Sequence, residues 1–297
     1  MEENVIHRPV LLREAVDLLD PHSGGIYVDG NLGMGGHSRE ILRRSAPTGR
    51  VIGFDLDEAA LDMARHNLVE FGDRIDFVHD NFAALPERLF ELGVKKIDGL
   101  LLDLGLSSFQ LDGSGRGFSF QGSQPLDMRM DQRYGLTAAK LLNTASADEL
   151  ADIFYHYGEE RQARRIASFI VEYRRKEKFA STDQLVDVVE KAVPRRFRPK
   201  KIHVATKVFQ ALRIAVNGEL DNLLKILEQG SQMLKKNAKF CVISFHSLED
   251  RLVKRAFQNN PSLSVVTRKP VIAGEDELLI NPRSRSAKLR MANKEIL

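Results

Sequence analysis

Short apolar segments that end in an acidic residue recur through the first third of the chain. They cover Ile26–Asp29, Arg50–Asp55, residues 75–80 and Ile97–Asp103, and segments with helical spacing separate them. A parallel strand that is buried on both faces reads as a nearly continuous apolar run, and residues 97–103 fit that description. The alternation of short strands and helices predicts an α/β fold built on a parallel sheet.

The alternation stops after residue 108. Residues 110–135 are rich in Gly, Ser, Asp and Gln, and a long irregular stretch inside a compact protein is usually functional. Four segments with helical spacing follow, and we place them at residues 138–142, 147–155, 161–176 and 182–192. We therefore predict a mainly helical insertion over residues 113–203, set into a main domain of residues 1–112 and 204–297.

The α/β pattern resumes in the last third of the chain. It predicts a long helix over residues 204–227, a strand over residues 239–245 and a helix over residues 248–257. Residues 262–270 and 284–292 alternate in polarity, so we expect two antiparallel edge strands there.

A glycine-rich loop follows the first predicted strand. Asp29 ends the strand, and glycines stand at positions 30, 33, 35 and 36, ahead of a helical stretch. Such a loop lets the backbone approach a ligand closely at a helix N-terminus. The glycine spacing differs from that of a dinucleotide-binding loop, and an acid at this point would repel a pyrophosphate. A phosphate-binding loop is also excluded, because no Gly-Lys-Ser/Thr follows the glycines.

Polar and aromatic residues stand at the ends of the next strands. Asp55 lies where an acid binds both ribose hydroxyls; the alternative is an acid in a solvated turn. Asp80 and Phe82 lie where a third strand would reach an adenine, although Phe82 would also suit the core. Asp103 follows the fourth strand. A ligand with adenosine at one end and a cationic amino acid at the other suits this set, which indicates S-adenosylmethionine.

Charge is unevenly distributed along the 297 residues, although the net charge is only +3. Residues 161–201 carry thirteen Lys or Arg against five Asp or Glu, and residues 251–297 carry ten against four. The remaining residues carry twenty-one basic and thirty-two acidic groups. Two basic segments on an otherwise acidic chain suggest a polyanionic partner, and solvated helix faces are the equally consistent alternative.

The cysteine count and the termini bear on the compartment. The single cysteine, Cys241, excludes an internal disulfide, and residues 1–4 lack the features of a secretory signal. We therefore expect a cytoplasmic protein without a membrane span. Cys241 lies in an apolar strand, which favours a core residue over a nucleophile. The Cys and His spacing does not suggest a metal site, and the hydrolase elbow motif is missing.

Several stretches resemble the bacterial small-subunit ribosomal RNA cytosine-N4 methyltransferases, the RsmH or MraW family. The matching segments include Tyr27-Val-Asp-Gly-Asn-Leu-Gly-Met-Gly-Gly-His-Ser38, Leu101-Leu-Asp-Leu-Gly-Leu-Ser-Ser108 and Ile243-Ser-Phe-His-Ser-Leu-Glu-Asp-Arg251. Residues 7–12, 116–120, 125–131, 157–161, 209–217 and 281–286 match as well, so the resemblance spans nearly the whole chain.

The resemblance carries expectations about fold, cofactor and substrate. It implies a Rossmann-like class I S-adenosylmethionine-dependent methyltransferase sheet, with the helical insertion as an RNA-recognition domain. It implies methyl transfer to the N4 amine of a cytidine in 16S ribosomal RNA, near the decoding centre. The residues implied to line the cofactor site are Gly35, Gly36, His37, Asp55, Phe82, Asp103 and Gln110.

The group that accepts the amine hydrogen is left open by the sequence. Many amino-methyltransferases place an Asn/Asp-Pro-Pro-aromatic turn after the fourth strand, and this chain has Asp103-Leu-Gly-Leu-Ser107 instead. The candidates are the Asp103 carboxylate, the Leu104 carbonyl and the Ser107 hydroxyl. His246 could bind the base or a phosphate; the alternative is a helix-capping turn with Ser247 as the cap.

RNA contacts and competing functions also stay open at this stage. Residues 161–178, 194–201 and 281–290 could hold phosphates, while Phe118, Phe120 or Phe197 could stack on a base or pack in the core. A ribosome-assembly factor with a methyltransferase-like fold, a DNA amino-methyltransferase and a small-molecule methyltransferase are the competing functions. The glycine loop and Asp55 argue against the first of these, and the basic insertion argues against the last.

Overall fold

The structure, a computed structural model, describes residues 9–107 and 109–295. It divides the chain into two compact units: residues 1–105 with 220–297, and residues 106–219. The matched residues His7, Arg8 and Ser108 lie outside the described residues.

A seven-stranded sheet forms the centre of the first unit. Its strands are β1 (Ile26–Asp29), β2 (Arg50–Asp55), β3 (Ile75–His79), β4 (Ile97–Asp103), β5 (Leu234–Ser244), β6 (Leu263–Val265) and β7 (Lys288–Lys294). They lie in the order β3-β2-β1-β4-β5-β7-β6, with β1 to β5 parallel and β7 antiparallel to both of its neighbours. The predicted α/β fold is confirmed. The strand order reverses between β1 and β4, and ligands bind at such a switch point, beyond the carboxyl ends of the strands.

Within the part of the chain that the structure describes, seven helices belong with this sheet. They are α1 (Leu12–Leu19), α2 (Gly36–Arg44), α3 (Glu58–Asn67), α4 (Leu85–Glu91), α10 (Glu219–Met233), α11 (Ser247–Asn259) and α12 (Glu275–Ile280). Side chains alternate between the two faces of a strand, so Leu100 and Leu102 of β4 join one apolar core while Leu101 joins the other. Cys241 belongs to the second core and is fully buried, which agrees with a structural cysteine.

The second unit is a helical domain with a core of its own. Its helices are α5 (Ala138–Thr144), α6 (Ala147–His156), α7 (Ala163–Tyr173), α8 (Thr182–Ala192) and α9 (Thr206–Asn217). Phe154, Ile166, Leu185 and Leu212 are fully buried in one apolar cluster. The four helices predicted between residues 138 and 192 are confirmed.

One predicted helix is wrong in its extent. Residues 204–227 form two helices, because Gly218 follows α9 in the left-handed conformation, with φ 61°, and ends it. The apolar side of α9 is buried in the core of the second unit. The structure therefore groups residues 106–219, where the sequence predicted an insertion of residues 113–203.

The two C-terminal strands also differ from the prediction that both lie at an edge. β7 lies between β5 and β6, so of these two strands the three-residue β6 lies at the edge. Because β7 is interior, Arg290 is buried and its Nε donates to Asp250 at 2.6 Å. Arg290 therefore has a structural role and is not one of the residues of segment 281–290 that could bind RNA phosphates.

Candidate active site

The glycine loop connects β1 to α2 with little room for side chains. A Cβ on Gly30 would lie 2.3 Å from Cδ2 of Leu102, and one on Gly36 would lie 2.1 Å from Cγ of Pro9. Gly35 has φ +84°, a conformation that L-residues rarely adopt. The loop therefore requires glycine at these positions for steric and conformational reasons.

Asp29 is buried between the loop and the helix. Its Oδ2 accepts a hydrogen bond from Ser38 Oγ at 2.7 Å, and its Oδ1 accepts one from the Asn31 amide at 3.4 Å. Burial raises the pKa of Asp29 to about 6, although these hydrogen bonds favour the charged form. Asp29 thus adds negative charge beside the loop and also fastens the loop to α2.

Asp55 ends β2 and binds the same loop. Its Oδ2 accepts a hydrogen bond from the Gly33 amide at 2.8 Å, and its Oδ1 accepts one from the Asp57 amide at 2.9 Å. Burial raises the pKa of Asp55 to about 6. Each carboxylate oxygen keeps a second lone pair, so Asp55 can still accept hydrogen bonds from ribose hydroxyls.

Phe82 follows β3 and lies mainly in the core of the first unit. Its Cβ is 3.1 Å from the point where a Cβ of Gly30 would stand, so the structure brings this residue beside the glycine loop. The neighbouring Asp80 is engaged by Arg88, whose Nε donates to its carboxylate at 2.8 Å. The ring of Phe82 is therefore a core aromatic, as one of the two sequence interpretations had it.

Asp103 ends β4 with a carboxylate that is only partly compensated, by a hydrogen bond from the Gly105 backbone. Its Oδ1 is buried and has no hydrogen-bond partner among the described residues. Its Oδ2 lies 3.7 Å from Nδ1 of His37. Burial, followed by the negative charges of Asp29 and Glu249, raises the pKa of Asp103 to about 8. A desolvated carboxylate that is only partly compensated is unfavourable unless it takes a proton or meets a cation.

His37 makes the environment of the Asp103 carboxylate still less favourable for a negative charge. Its Nε2 lies 3.1 Å from the carbonyl oxygen of Val10, which can only accept, so we assign the ring hydrogen to Nε2. A neutral His37 then turns an unprotonated Nδ1 toward Asp103. That contact is repulsive for a carboxylate and favourable for a protonated carboxyl, so the pair suits one extra proton or a nearby cation.

His246 starts α11 at the end of β5, next to the end of β4. Its Nδ1 accepts a hydrogen bond from the Glu249 amide at 3.4 Å, so His246 caps the helix; the predicted cap at Ser247 is wrong. An acceptor Nδ1 leaves the hydrogen of the neutral ring on Nε2, which lies 3.1 Å from Glu249 Oε1 without a hydrogen bond between them. His246 is therefore a donor in this state and not a base.

Ser107 and Gln110 belong to the second unit and bind each other. The Ser107 amide donates to Gln110 Oε1 at 3.1 Å, and the Gln110 amide donates to Ser107 Oγ at 3.1 Å. Gln110 is buried in a π-helical turn, Phe109–Gly113. Leu104, the other acceptor candidate, uses its amide to continue the sheet, donating to the Ile243 carbonyl at 3.0 Å.

Two further residues of this region escaped the sequence prediction. Ser38 binds Asp29, and Glu249 is a buried acid whose Oε2 accepts from the Phe245 amide at 2.8 Å. The signal for Glu249 was present, because an acid three residues after a helix cap forms a capping box. Ser38 carried no comparable signal, since serine is common in the first turn of helices.

The first unit therefore gathers three carboxylates with raised pKa values: the buried Asp29 and the half-buried Asp55 and Asp103. They end β1, β2 and β4 at the same edge of the sheet, beside the glycine loop. Such a group disfavours a phosphate and favours a ligand that carries positive charge and hydroxyl donors. The residues present fit an adenosine whose other end is a cation.

Comparisons with known proteins match the whole chain. A profile of the MraW methylase family matches residues 4–295. The "Ribosomal RNA small subunit methyltransferase H" of Desulfotalea psychrophila is 56% identical over 294 residues, which cover 99% of this chain and 100% of that protein. The protein of the same name from Geotalea uraniireducens is 50% identical over 306 residues, 97% of this chain and 98% of its own.

A relative from Cyanothece sp. carries the same name and is 50% identical over 294 residues, 99% of this chain and 96% of its own. The similarity therefore runs through both units. Among the described residues, the structure has no helix long and apolar enough to cross a membrane.

Proposed function

The chain belongs to the MraW methylase family, and from this premise we propose that it methylates the N4 amine of a cytidine in 16S ribosomal RNA, near the decoding centre, with S-adenosylmethionine as donor. It is a methyltransferase of small-subunit ribosomal RNA, the activity that its relatives' shared name states. The observation that carries the cofactor assignment is Asp103, whose buried Oδ1 lacks a partner among the described residues.

The carboxyl edge of the sheet supplies the groups that would hold the cofactor. When bound, S-adenosylmethionine supplies a methyl group on a positively charged sulfur, which makes that methyl group electrophilic. Asp103 would balance the positive charge, and Asp55 would accept hydrogen bonds from the ribose hydroxyls. The backbone of Gly35 and Gly36, together with His37, Phe82 and Gln110, completes the set that the family resemblance implies.

The target amine needs help because its lone pair is delocalised into the cytosine ring. An acceptor that binds an amine hydrogen lets lone-pair density develop on nitrogen, and a fixed pocket holds that nitrogen in line with the methyl group. The Asp103 carboxylate, at the end of β4, is one candidate for this acceptor, and the Leu104 carbonyl is another. A strong base is unnecessary, because the amine hydrogen becomes acidic only once nitrogen carries the methyl group.

His246 suits a different task. Since its hydrogen lies on Nε2, His246 would donate to an acceptor atom of the base and orient it, and Glu249 would hold the ring in place. Ser107 keeps its own hydroxyl hydrogen and one free lone pair beside the bond from the Gln110 amide, so it stays a second acceptor candidate.

The second unit offers an exposed basic tip at Arg195, Arg196 and Phe197. The guanidinium carbon of Arg196 lies 4.8 Å from the ring centroid of Phe197, and Phe197 is 51% exposed. Phe118 is buried, and Phe120 packs on His203 and Phe209 with ring centroids 4.9 and 5.3 Å away. Of the three aromatics singled out from the sequence, Phe197 alone presents a surface on which an unpaired base can stack.

Calorimetry with S-adenosylmethionine tests the cofactor assignment first. We expect binding by the wild-type chain and weaker binding by Asp55→Ala, while Asp76→Asn, which removes a half-buried acid paired with Arg50, leaves binding unchanged. Undetectable binding at millimolar cofactor would refute the enzyme and leave a binding factor.

Methyl transfer then tests the substrate. Small subunits from a strain that lacks this activity are incubated with the protein and labelled cofactor, and the modified nucleotide is mapped by mass spectrometry. We expect one cytidine labelled on N4. Label on a ring carbon or on DNA alone would contradict the assignment.

A further inference from the structure

Lysine side chains gather at the edge of the sheet opposite to Asp29, Asp55 and Asp103. Lys95 and Lys96 precede β4, and Lys294 ends the antiparallel β7. The first half of β5 contributes Lys235, Lys236 and Lys239. The strand register brings these groups together, because Ile97 pairs with Leu234 and Lys239 pairs with Asn293. We call these six residues the lysine edge.

A bulge in β5 exposes two of these lysines. The register between β4 and β5 passes from Ile97–Leu234 directly to Gly99–Lys239, so residues 235–238 stand opposite Asp98 alone. Asn237 has φ 63°, and residues 235–237 are exposed. Lys235 Nζ binds Asp98 Oδ2 at 2.7 Å, while Lys236 extends into solvent. Bulges that present side chains in this way are features of function more often than defects.

Ion pairs are sparse along the lysine edge. Some exposed arginines elsewhere in the first unit do meet carboxylates, as Arg44 does with Asp17 and Glu40, and Arg50 with Asp76. Within residues 9–107 and 109–295, five lysines of this edge have no carboxylate within ion-pair distance. They are Lys95, Lys96, Lys236, Lys239 and Lys294. Partial burial and the charge of Lys96 lower the pKa of Lys294. Apart from Lys235, which pairs with Asp98, the lysine edge thus concentrates positive charge that no carboxylate of the described residues neutralises, although Lys96 also donates to the Gln232 carbonyl.

An exposed aromatic residue accompanies these charges. Phe90 is 84% exposed in the last turn of α4, the helix whose chain leads into Lys95 and Lys96. Basic side chains beside an exposed aromatic ring are typical of surfaces that bind nucleic acid through phosphate contacts and stacking.

We propose that the lysine edge binds the phosphate backbone of small-subunit ribosomal RNA, as a second contact surface on the side of the sheet away from the candidate active site. The inference rests on the proposed function, because that function supplies the RNA. Lysine binds phosphate as a mobile point charge, so the surface would add affinity without sequence preference. Its contribution would fall steeply with salt, as expected when lysines displace condensed counterions.

A charge-removal variant tests the surface. The triple variant Lys95→Gln/Lys96→Gln/Lys236→Gln leaves the Lys235–Asp98 pair intact. We expect its binding to small subunits to weaken about tenfold at physiological salt, and the slope of log K against log [salt] to fall by roughly two to three, at just under one per lost phosphate contact. Lys95→Arg/Lys96→Arg/Lys236→Arg, which keeps the charge, should bind as the wild type does.

Two controls separate this inference from the proposed function. Lys225→Gln/Lys254→Gln/Arg255→Gln removes three charges from the same unit outside the lysine edge and should change the slope less. Cofactor affinity should be equal in all variants. If the wild type methylates small subunits and the edge variant shows an unchanged slope, the inference alone fails. If the wild type neither binds nor methylates them, the proposed function fails and the inference falls with it.

Crosslinking locates the contact directly. Cys241 is fully buried, so a photoreactive label will attach to a thiol introduced by Lys236→Cys. We expect crosslinks from this position to ribosomal RNA, and none from Glu70→Cys, an exposed position of the same unit. Equal yields from both positions, or lysine-dependent binding to anionic phospholipid vesicles in place of RNA, would overturn the assignment.

Discussion

The candidate cofactor site and the basic tip of the second unit hold their charged groups in opposite physical environments. Asp29 is buried, Asp55 and Asp103 are half-buried, and desolvation raises their pKa values to about 6, 6 and 8. Arg196 and Phe197 are exposed, and they contact each other rather than a carboxylate. Buried charge gives strong, local and pH-dependent recognition, whereas exposed charge gives weaker recognition that salt screens.

The largest effect is expected where a buried charge loses its ligand. Asp103→Asn should weaken cofactor binding about 10- to 100-fold, corresponding to ~1.5–3 kcal/mol for an interaction with a charged group. The same change should raise the stability of the ligand-free protein, because it removes a carboxyl whose Oδ1 has no partner among the described residues. Calorimetry and thermal unfolding measure the two effects.

The opposite signs make that test specific. A variant that merely folded poorly would lose both stability and binding. Asp62→Asn, at a mostly exposed acid paired with Arg65, is the matched control and should alter neither quantity. Retained cofactor affinity in Asp103→Asn would remove Asp103 from the site.

The pH dependence should follow the same carboxyl group. The pKa of Asp103 is about 8 in the folded chain against an ordinary value of 3.8, so the folded state binds more protons between these values. Stability of the ligand-free protein should therefore fall as pH rises through this window. A cationic ligand favours the carboxylate, so cofactor affinity should rise up to about tenfold per pH unit and level off above pH 8.

Affinity and unfolding temperature measured between about pH 6 and 9 test this linkage. Asp103→Asn should flatten both profiles in the upper half of that range, where Asp29 and Asp55 are already ionised. A wild-type affinity that does not change with pH would show that the cofactor does not depend on the charge of Asp103.

Substitutions in the exposed basic tip should have smaller effects on ligand affinity. Phe197→Ala should reduce affinity for ribosomal RNA roughly fivefold or more, since stacking of one base contributes about 1–3 kcal/mol. Cofactor affinity should be unchanged. Phe197→Tyr, which keeps the ring, is the control, and an equal loss in both variants would argue against stacking.

The sequence predicted the parts of the molecule that depend on local pattern. The first four strands, the glycine loop and the helices between residues 138 and 192 follow from apolar spacing and glycine position, and the structure agrees. The prediction of one helix over residues 204–227 was wrong at Gly218, because the apolar spacing runs through two helices and only one glycine marks the break. The prediction that β7 lies at an edge was also wrong, because the place of a strand within a sheet depends on pairing between distant segments.

The candidate site divides in the same way. Strand ends and glycine spacing were enough to nominate Asp55 and Asp103. The sequence could not reveal that His37 faces Asp103, or that His246 caps α11 by accepting a hydrogen bond at Nδ1, because such contacts depend on the folded structure. The sequence also could not separate the exposed arginines of residues 195–198 from the one that makes structural hydrogen bonds, because all three lie in the same basic segment.

That division gives the smallest and most selective prediction. Arg198 donates to the Val193 carbonyl at 3.2 Å and to the Glu190 carbonyl at 2.5 Å, so it secures the end of α8, whereas Arg195 and Arg196 are exposed. Arg195→Gln/Arg196→Gln should leave stability unchanged and lower the salt slope of RNA binding by up to about two. Arg198→Gln should lower stability by roughly 1 kcal/mol and change the slope less. RNA binding over a salt series and thermal unfolding measure these effects. Equal salt slopes in the two variants would contradict the separation of binding arginines from structural ones.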